Sequence, residues 1–461
     1  MNIETLAKRY ATVPADWKVV PLGDVLSNII GGGTPSRNDL SYWGGDIPWL
    51  TVKDMRSRRP AAAQEHITAR AVVESATSII PPDTVITATR VGLGKVVRVP
   101  YAAAINQDLK ALIAGPELDK SYLEYWIVSI ATFLESIGSG TTVKGIRLET
   151  LRQLPFPLAP LAEQREIVAE IEKQFSRLDE AVANLQRVKA NLKRYKASVL
   201  KDAVEGRLVS TEAELARREG RSFETGEQLL QRILETRRKD WKGRGKYKEP
   251  VTANTAGLPT LPSGWTWASI EQLTYLVTSG SRGWGDFYSD NGVLFIRAQD
   301  IKTDALNMKG LARVDVPVDA EGSRSSVGEN DILVTITGAN VTKSALVPML
   351  PEPAFVSQHV ALLKLTLSDT AAFVFNWLIS PANGRKTLEK WAYGAGKPGL
   401  SLEQVRALPV AFPPLAEQTR IVDEVERRLS LLRGVESEVD TNFKRAQALR
   451  QAILQNMFRV G

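Results

Sequence analysis

APLAEQREIVAEIE (residues 159–172) and PPLAEQTRIVDEVE (residues 413–426) write the same fourteen-residue sentence twice in one chain. In each copy a proline, Pro160 or Pro414, stands just before the first helical turn, where a missing N–H costs nothing. An acid, Glu163 or Glu417, follows where it suits the positive end of a helix dipole. The apolar positions then fall in steps of three and four. In the first copy they are Val168, Ile171, Phe175, Leu178, Val182, Leu185, Val188, Leu192, Tyr195 and Val199. In the second they are Val422, Val425, Leu429, Leu432, Val435, Val439, Phe443, Ala446, Leu449, Ile453 and Met457, with Gly434 as the one unfavourable interruption. The pattern predicts two long helices, 160–205 and 414–458, each with a coiled-coil seam.

Working outward, the whole chain repeats. Leu154 aligns with Leu408 (408 − 154 = 254), and Trp17 in VPADWKVVPLGDV with Trp265 in LPSGWTWASIEQL (265 − 17 = 248). Between these ends DIPWLTVKDM answers GVLFIRAQDI, VITATRVGLGKVVRV answers LVTITGANVTKSALV, NQDLKAL answers SQHVALL, and GIRLETLRQLPFP answers GLSLEQVRALPVAFP. The drifting offset implies small insertions inside each copy. VITAT, KVVRV, DILVTIT and ALLKLTL read as strands, and the Pro-rich LPFPLAP and LPVAFPP as connectors into the helices. The expected fold is α+β: two mixed α/β domains separated by two long helices packed as an antiparallel coiled coil, with a pseudo-twofold internal repeat. The boundaries read as 1–153 for the first domain, 154–206 for the first helical region, 207–249 for a charged linker with one short helix (GEQLLQRILETRRK), 250–407 for the second domain and 408–461 for the second helical region. A parallel pairing of the helices would set the domains side by side; an antiparallel one would set them at opposite ends of a rod.

Composition narrows the chemistry. The 461 residues include no Cys and two His, His66 and His359, so a zinc site or a Cys/His nucleophile has no material. WAYGAGKPG (391–399) lacks the leading glycine and the hydroxyl residue of a phosphate loop, and GLGK and GGGTPS fail in the same way; these glycines read as turns. No apolar run is long enough to span a bilayer and no secretory signal opens the chain, so the expected compartment is the cytoplasm. The net charge of +7 and loops rich in Thr, Asn, Gln, Arg and Lys favour a polyanion as partner. The candidate nucleic-acid contacts are Thr34, Ser36, Arg37, Lys53, Arg90, Lys95, Asn106, Gln107, Thr141 and Lys144 in the first copy. In the second they are Ser281, Arg282, Trp284, Arg297, Gln299, Lys343, Gln358, His359 and Lys397. The basic tract KGRGKYK (242–248) reads as a solvated linker.

The twin PLAEQ helix starts, the tryptophan-bearing domain openings, GGGTPSRNDLSYWGGDIPWLTVKDM and the GSGTT approach to the first helix together resemble the specificity subunit of type I restriction-modification systems. The resemblance covers essentially the whole chain. It implies a non-catalytic subunit in which each domain reads one half of a bipartite, asymmetric site on double-stranded DNA. It further implies that the helices set the spacer and dock two modification subunits, and that two restriction subunits join the full complex. On those partners the resemblance places S-adenosylmethionine, ATP and magnesium; this chain would bind no cofactor and no metal. Glu163, Gln164, Glu417 and Gln418 are the expected partner contacts. The rival reading is a scaffold whose two repeated domains bind protein or glycan.

Overall fold

The computed structural model describes residues 3–140, 144–242, 245–280, 283–302, 304–315, 324–392 and 398–458. It divides into two compact units, Met1–Arg187 with Val439–Gly461, and Val188–Glu438. Each unit therefore takes a domain together with part of both long helices, a division that crosses the sequence boundaries at 154 and 408.

In the first unit, one four-stranded sheet runs in the order Leu26–Gly31, Leu109–Ala114, Val85–Ala88, Val96–Val97, antiparallel throughout. A second runs Glu65–Ile67, Trp43–Leu50, Ala103–Ile105, Ile79–Ile80, with its central pair parallel. Leu50, Ile80, Ile86, Val97, Ile105 and Leu109 fill one buried core. A further core gathers Tyr122, Trp126, Phe156, Ile171 and Phe175 with Leu6 and Tyr10 of the N-terminal segment and Ile453, Leu454 and Phe458 from the other end of the chain. Trp126 Nε1 donates to the Tyr10 hydroxyl at 3.0 Å, so the end of the N-terminal segment is pinned to the domain.

The second unit repeats this plan strand for strand. Thr274–Ser279, Val360–Leu365, Ile332–Thr335 and Ser344–Leu346 form the first sheet, and Ala312–Val314, Tyr288–Ile296, Ala354–Val356 and Ser326–Val327 the second, again with a parallel central pair. The turn between the two sheets needs glycine in both copies: a Cβ on Gly32 would lie 1.9 Å from the Ile105 carbonyl oxygen, and one on Gly280 1.8 Å from that of Val356.

The Pro-rich segments expected as connectors are strands. Pro155–Leu158 pairs with Lys18–Pro21, and Pro409–Phe412 with Thr266–Ser269, both antiparallel. The repeated opening of each domain thus pairs with its repeated closing, which is the physical reason the ends of the two copies match better than their middles. Proline is tolerated because each of these ribbons has only two strands and hence free edges.

The two long helices are Leu161–Val204 and Leu415–Met457. At 44 residues the first is about 66 Å long. Within the first unit Arg450 pairs with Asp179 and its guanidinium lies 4.4 Å from the centre of the Phe175 ring. Within the second, Val199, Leu200, Ala203 and Val204 share a core with Ile421 and Val425. The seam is narrower than expected: Val188, Tyr195, Val435 and Leu449 are exposed. A residue in every three- or four-step cannot stay on the contact line of a helix with 3.6 residues per turn unless the helix supercoils to follow it.

The linker holds two helices rather than one, Glu212–Glu219 and Gly226–Lys239. Thr211 and Thr225 each open them with a reciprocal capping box, to Glu214 and Gln228. Leu229, Leu230 and Ile233 bury the second against the domain core. Among the described residues no helix is long and apolar enough to cross a membrane.

Candidate nucleic-acid interface

In the first domain four loops meet at one end of the first sheet. Thr34, just past Gly31, donates through Oγ1 to Gln107 Oε1 at 2.5 Å. Arg90 is bridged through its backbone to Gly145, Gly145 to Ser139, and the Ile146 N–H donates to the Thr89 carbonyl at 2.9 Å, so the segment bearing Lys144 lies beside Arg90. The Arg90 guanidinium is 3.5 Å from Asp108. Lys95 and Val52 both approach Gly92, a turn residue at φ 79°, which brings Lys53 to the same side. Arg90, Lys95, Gln107, Lys144, Thr34 and Lys53 are all exposed.

The second domain builds the same end with different letters. The Ile336 N–H donates to the His359 carbonyl at 2.9 Å, as Thr89 N–H does to Asp108 at 2.8 Å, and Thr337 is bridged to Gly399 as Arg90 is to Gly145. Position by position, Arg90 becomes Thr337, Asp108 becomes His359 and Gln107 stays Gln358. This shifts the sequence alignment by one: Val85–Ala88 corresponds to Ile332–Thr335, and the extra residue lies in the turn that follows. Lys53 and Gln299 also match, each in a turn closed by an aspartate that accepts from a backbone N–H: Asp54 from Thr51 at 2.8 Å and Asp300 from Arg297 at 2.9 Å.

Some expected contacts are structural instead. Asn106 is buried and closes its own turn, accepting from Asp108 N–H at 3.2 Å and donating to Asp108 Oδ2 at 3.1 Å. Trp284 is buried, its ring stacked on Phe295 with centroids 5.4 Å apart. Arg297 spends its guanidinium on Asp300, at 3.0 and 3.1 Å. Arg37 is exposed but engaged, bidentate to Glu65 at 2.5 and 2.9 Å and lying 3.7 Å over the Trp43 ring; the hydrogen bond to Glu65 holds its pKa above the usual arginine value. Ser36 has an exposed side chain, while its carbonyl accepts from Trp43 Nε1 at 3.0 Å. Lys343 is half-buried beside the Asn340 turn, and Gln358 is exposed, 3.3 Å from His359 Nε2. Thr141, Ser281, Arg282 and Lys397 lie outside the described residues.

The expected partner contacts at the helix starts also turn inward. Gln164 is fully buried: Oε1 accepts from Asp119 N–H at 2.8 Å, and Nε2 donates to the carbonyls of Glu117 at 2.9 Å and Ala159 at 2.8 Å. Gln418 is buried and donates to Pro413 at 2.9 Å. The buried Glu417 accepts from Trp265 Nε1 at 2.9 Å and from Glu212 N–H at 2.8 Å, and burial raises its pKa. Gln164 and Glu417 hold domain to helix, while Gln418 bonds only to Pro413, ahead of its own helix; burial keeps all three from a partner. Glu163 alone is partly exposed.

The arginine run at 56–59 lies outside the expected contacts. Arg59 grips the fully buried Glu124 at 2.6 and 2.7 Å, Arg98 lies 3.5 Å from the same carboxylate, and Arg58 lies 5.0 Å over the Tyr125 ring. The run of three arginines in DMRSRRP is a visible signal, but the buried acid that collects two of them, Arg58 and Arg59, lies 65 residues beyond Arg59.

The family model for the type I restriction modification DNA specificity domain matches residues 14–194 and 322–434. The chain is 30% identical over 173 residues to the type I restriction enzyme MjaIX specificity subunit of Methanocaldococcus jannaschii, an alignment covering 36% of this chain and 40% of the relative. It is 27% identical over 353 residues to the EcoBI specificity subunit of Escherichia coli, covering 74% of this chain and 66% of the relative. These matches thus span from two fifths to just under two thirds of the relatives' own lengths. A chain from a solved structure described as the basis of complex assembly and conformational transition of the type I R-M system superposes with a TM-score of 0.63 at 17% identity, over 97% of this chain and 99% of that one, a likeness of fold. Because the family model covers both copies of the repeat and more than half of the residues, this protein belongs to the type I restriction modification DNA specificity domain family.

Proposed function

We propose that this chain is the DNA-reading subunit of a type I restriction-modification complex, each domain reading one half of a bipartite asymmetric target. The observation that carries the reading is the pair of equivalent loop clusters on one repeated scaffold: Lys53, Arg90 and Asp108 in one copy against Gln299, Thr337 and His359 in the other. A shared frame with unlike polar groups, Lys53, Arg90 and Gln299 exposed and Asp108, Thr337 and His359 half-buried, suits two heads that read unlike sequences, because base edges are discriminated by which donors and acceptors face them. Thr34, Ser36, Lys53, Arg90, Lys95, Gln107 and Lys144 are the proposed contacts of the first head. Gln299, Lys343, Gln358 and His359 are those of the second.

The helices act as the spacer. An antiparallel pairing is supported by contacts inside each unit: the start of the first helix shares a core with the end of the second, and the end of the first with the start of the second. Two modification subunits dock on this pair and carry S-adenosylmethionine; two restriction subunits carry ATP and magnesium, and this chain performs no chemistry.

The test is duplex binding by the chain assembled with its modification subunits, followed across salt. Affinity that falls steeply with salt and is weakened by Arg90→Ala and Lys144→Ala is the expected result. Binding that is absent, or insensitive to salt, would return the chain to the scaffold reading.

A further inference from the structure

Lys242, Lys246 and Lys248 of the basic tract are exposed, in keeping with a solvated linker, yet Trp241 and Lys242 at its start line a cavity beside the second domain. Arg237, in the last turn of the helix Gly226–Lys239, donates through Nε to the Thr274 carbonyl at 2.8 Å and through Nη1 to the Tyr247 hydroxyl at 2.8 Å. Tyr247 packs edge-on to Trp241, with ring centroids 5.7 Å apart. The segment after the helix is thereby held beside the edge strand Thr274–Ser279.

That strand carries a bulge. Thr274 faces Leu365 and Leu276 faces Lys364, so Tyr275 is left without a cross-strand partner and its side chain is turned out, half exposed. The first domain has the same bulge at Ser27, between Leu26 and Asn28, but there a hydroxyl bonds back to the Ile113 carbonyl at 3.2 Å. Only the second copy puts a ring on the bulge and a second exposed ring, Trp241, near it.

Between them lies a cavity of about 580 Å³, lined by Trp241, Tyr275, Lys242, Arg237, Asp240 and Thr366. Its size falls in the range of small-ligand sites, roughly 300–1,000 Å³. Lys242 is exposed and forms no ion pair among the described residues. The Thr366 hydroxyl is buried with no hydrogen-bond partner in the described structure. Two exposed rings offer stacking faces, a lysine offers charge for a phosphate, and Asp240 offers a carboxylate to a ring edge. A purely apolar ligand would leave these groups unused, and a bare anion would leave the rings unused.

We propose that this pocket binds one nucleotide unit, base and phosphate together, at a site apart from the recognition loops. The unit comes either from an unpaired stretch of DNA strand or from a free nucleotide; the chemistry offered is the same for both. The base stacks on Trp241 and Tyr275, Lys242 meets the phosphate, and Arg237 acts as a positioning residue through its bonds to Thr274 and Tyr247.

The full chain is titrated with three probes: a single-stranded oligothymidylate carrying one 2-aminopurine, adenosine 5′-monophosphate, and inorganic phosphate. The fluorescent oligonucleotide is read directly, and the other two by calorimetry. Trp241→Ala and Tyr275→Ala are each expected to weaken nucleotide binding at least about tenfold, and Trp241→Phe to retain most of it. Lys242→Ala lowers affinity and flattens its salt dependence. Tighter binding of the oligonucleotide identifies a strand as the source, and tighter binding of the monophosphate a free nucleotide; either supports the site. Nucleotide binding left unchanged by both ring substitutions overturns it, as does no binding of either nucleotide probe, or inorganic phosphate binding as well as the monophosphate. Duplex affinity at the recognition loops is expected to be unchanged in Trp241→Ala, so failure here is separable from failure of the DNA-reading function.

Discussion

At the scale of single residues, Glu417 ties three distant segments together, one carboxylate oxygen serving Trp265 Nε1 and the other Glu212 N–H. Burial pushes its pKa above the ordinary carboxylate value, and the bonds from Glu212 and Trp265 only partly offset this. A carboxyl with a raised folded-state pKa holds its proton more tightly in the folded chain than in the unfolded one. Its contribution is therefore complete below the unfolded value and declines as pH climbs through the folded one. Glu417→Gln removes that titration, keeps one acceptor and turns an NH2 toward the other donor, at an expected cost of about 1–3 kcal/mol. That cost is expected to shrink between about pH 4, below the ordinary glutamate value, and about pH 8, because the wild-type advantage is what declines. Urea denaturation at both values checks it; a cost that grows with pH would refute the sign. Trp265→Phe breaks the same bond, so the double substitution is expected to cost less than the sum of the singles. The repeated Glu-Gln was legible as a motif. Its burial was not, since it depends on Glu212, 205 residues away, and on a strand pair that reads locally as a proline-rich connector.

At the scale of elements, the long helices were legible from apolar spacing to within a residue or two at each end. Which seam positions touch was less so, because the stripe states only what faces the same side. Phe175 is buried between the Tyr125 ring, centroids 5.8 Å apart, and the Arg450 guanidinium, whereas Leu449 is exposed. Phe175→Ala is expected to cost about 3–5 kcal/mol and Leu449→Ala to stay within about 0.5 kcal/mol of wild type, a contrast that thermal or urea unfolding resolves. Equal effects at the two positions would mean that the outer stripe is covered. Gly434 offers a gain: a Cβ there would meet nothing within 4 Å, and the residue lies inside the helix Leu415–Met457. Gly434→Ala is expected to stabilise by about 0.5–1 kcal/mol, chiefly by narrowing the unfolded ensemble. The bulges at Ser27 and Tyr275 had no sequence signature, since an unpaired strand residue is defined by its neighbour's register rather than its own identity.

At the scale of the whole molecule, the repeat was the legible fact, and it carried the domain order, the paired helices and the matching sheets. What stayed hidden was how the exposed loops converge, because Arg90, Gln107 and Lys144 meet only after strands far apart in the chain pair. If the proposed reading holds, length in the helices is length between half-sites. Four residues added to each long helix near its middle keep the apolar steps and extend the pair by about 6 Å. Base pairs rise about 3.4 Å each, so the unread gap is expected to grow by about one or two base pairs while both half-site sequences stay as they were. Sequencing of methylated sites in cells expressing the lengthened chain with its modification subunits measures both quantities at once. An altered half-site with an unaltered gap would mean that the helices do not set the spacing. A lost site with intact assembly would mean that the heads cannot be separated along one groove.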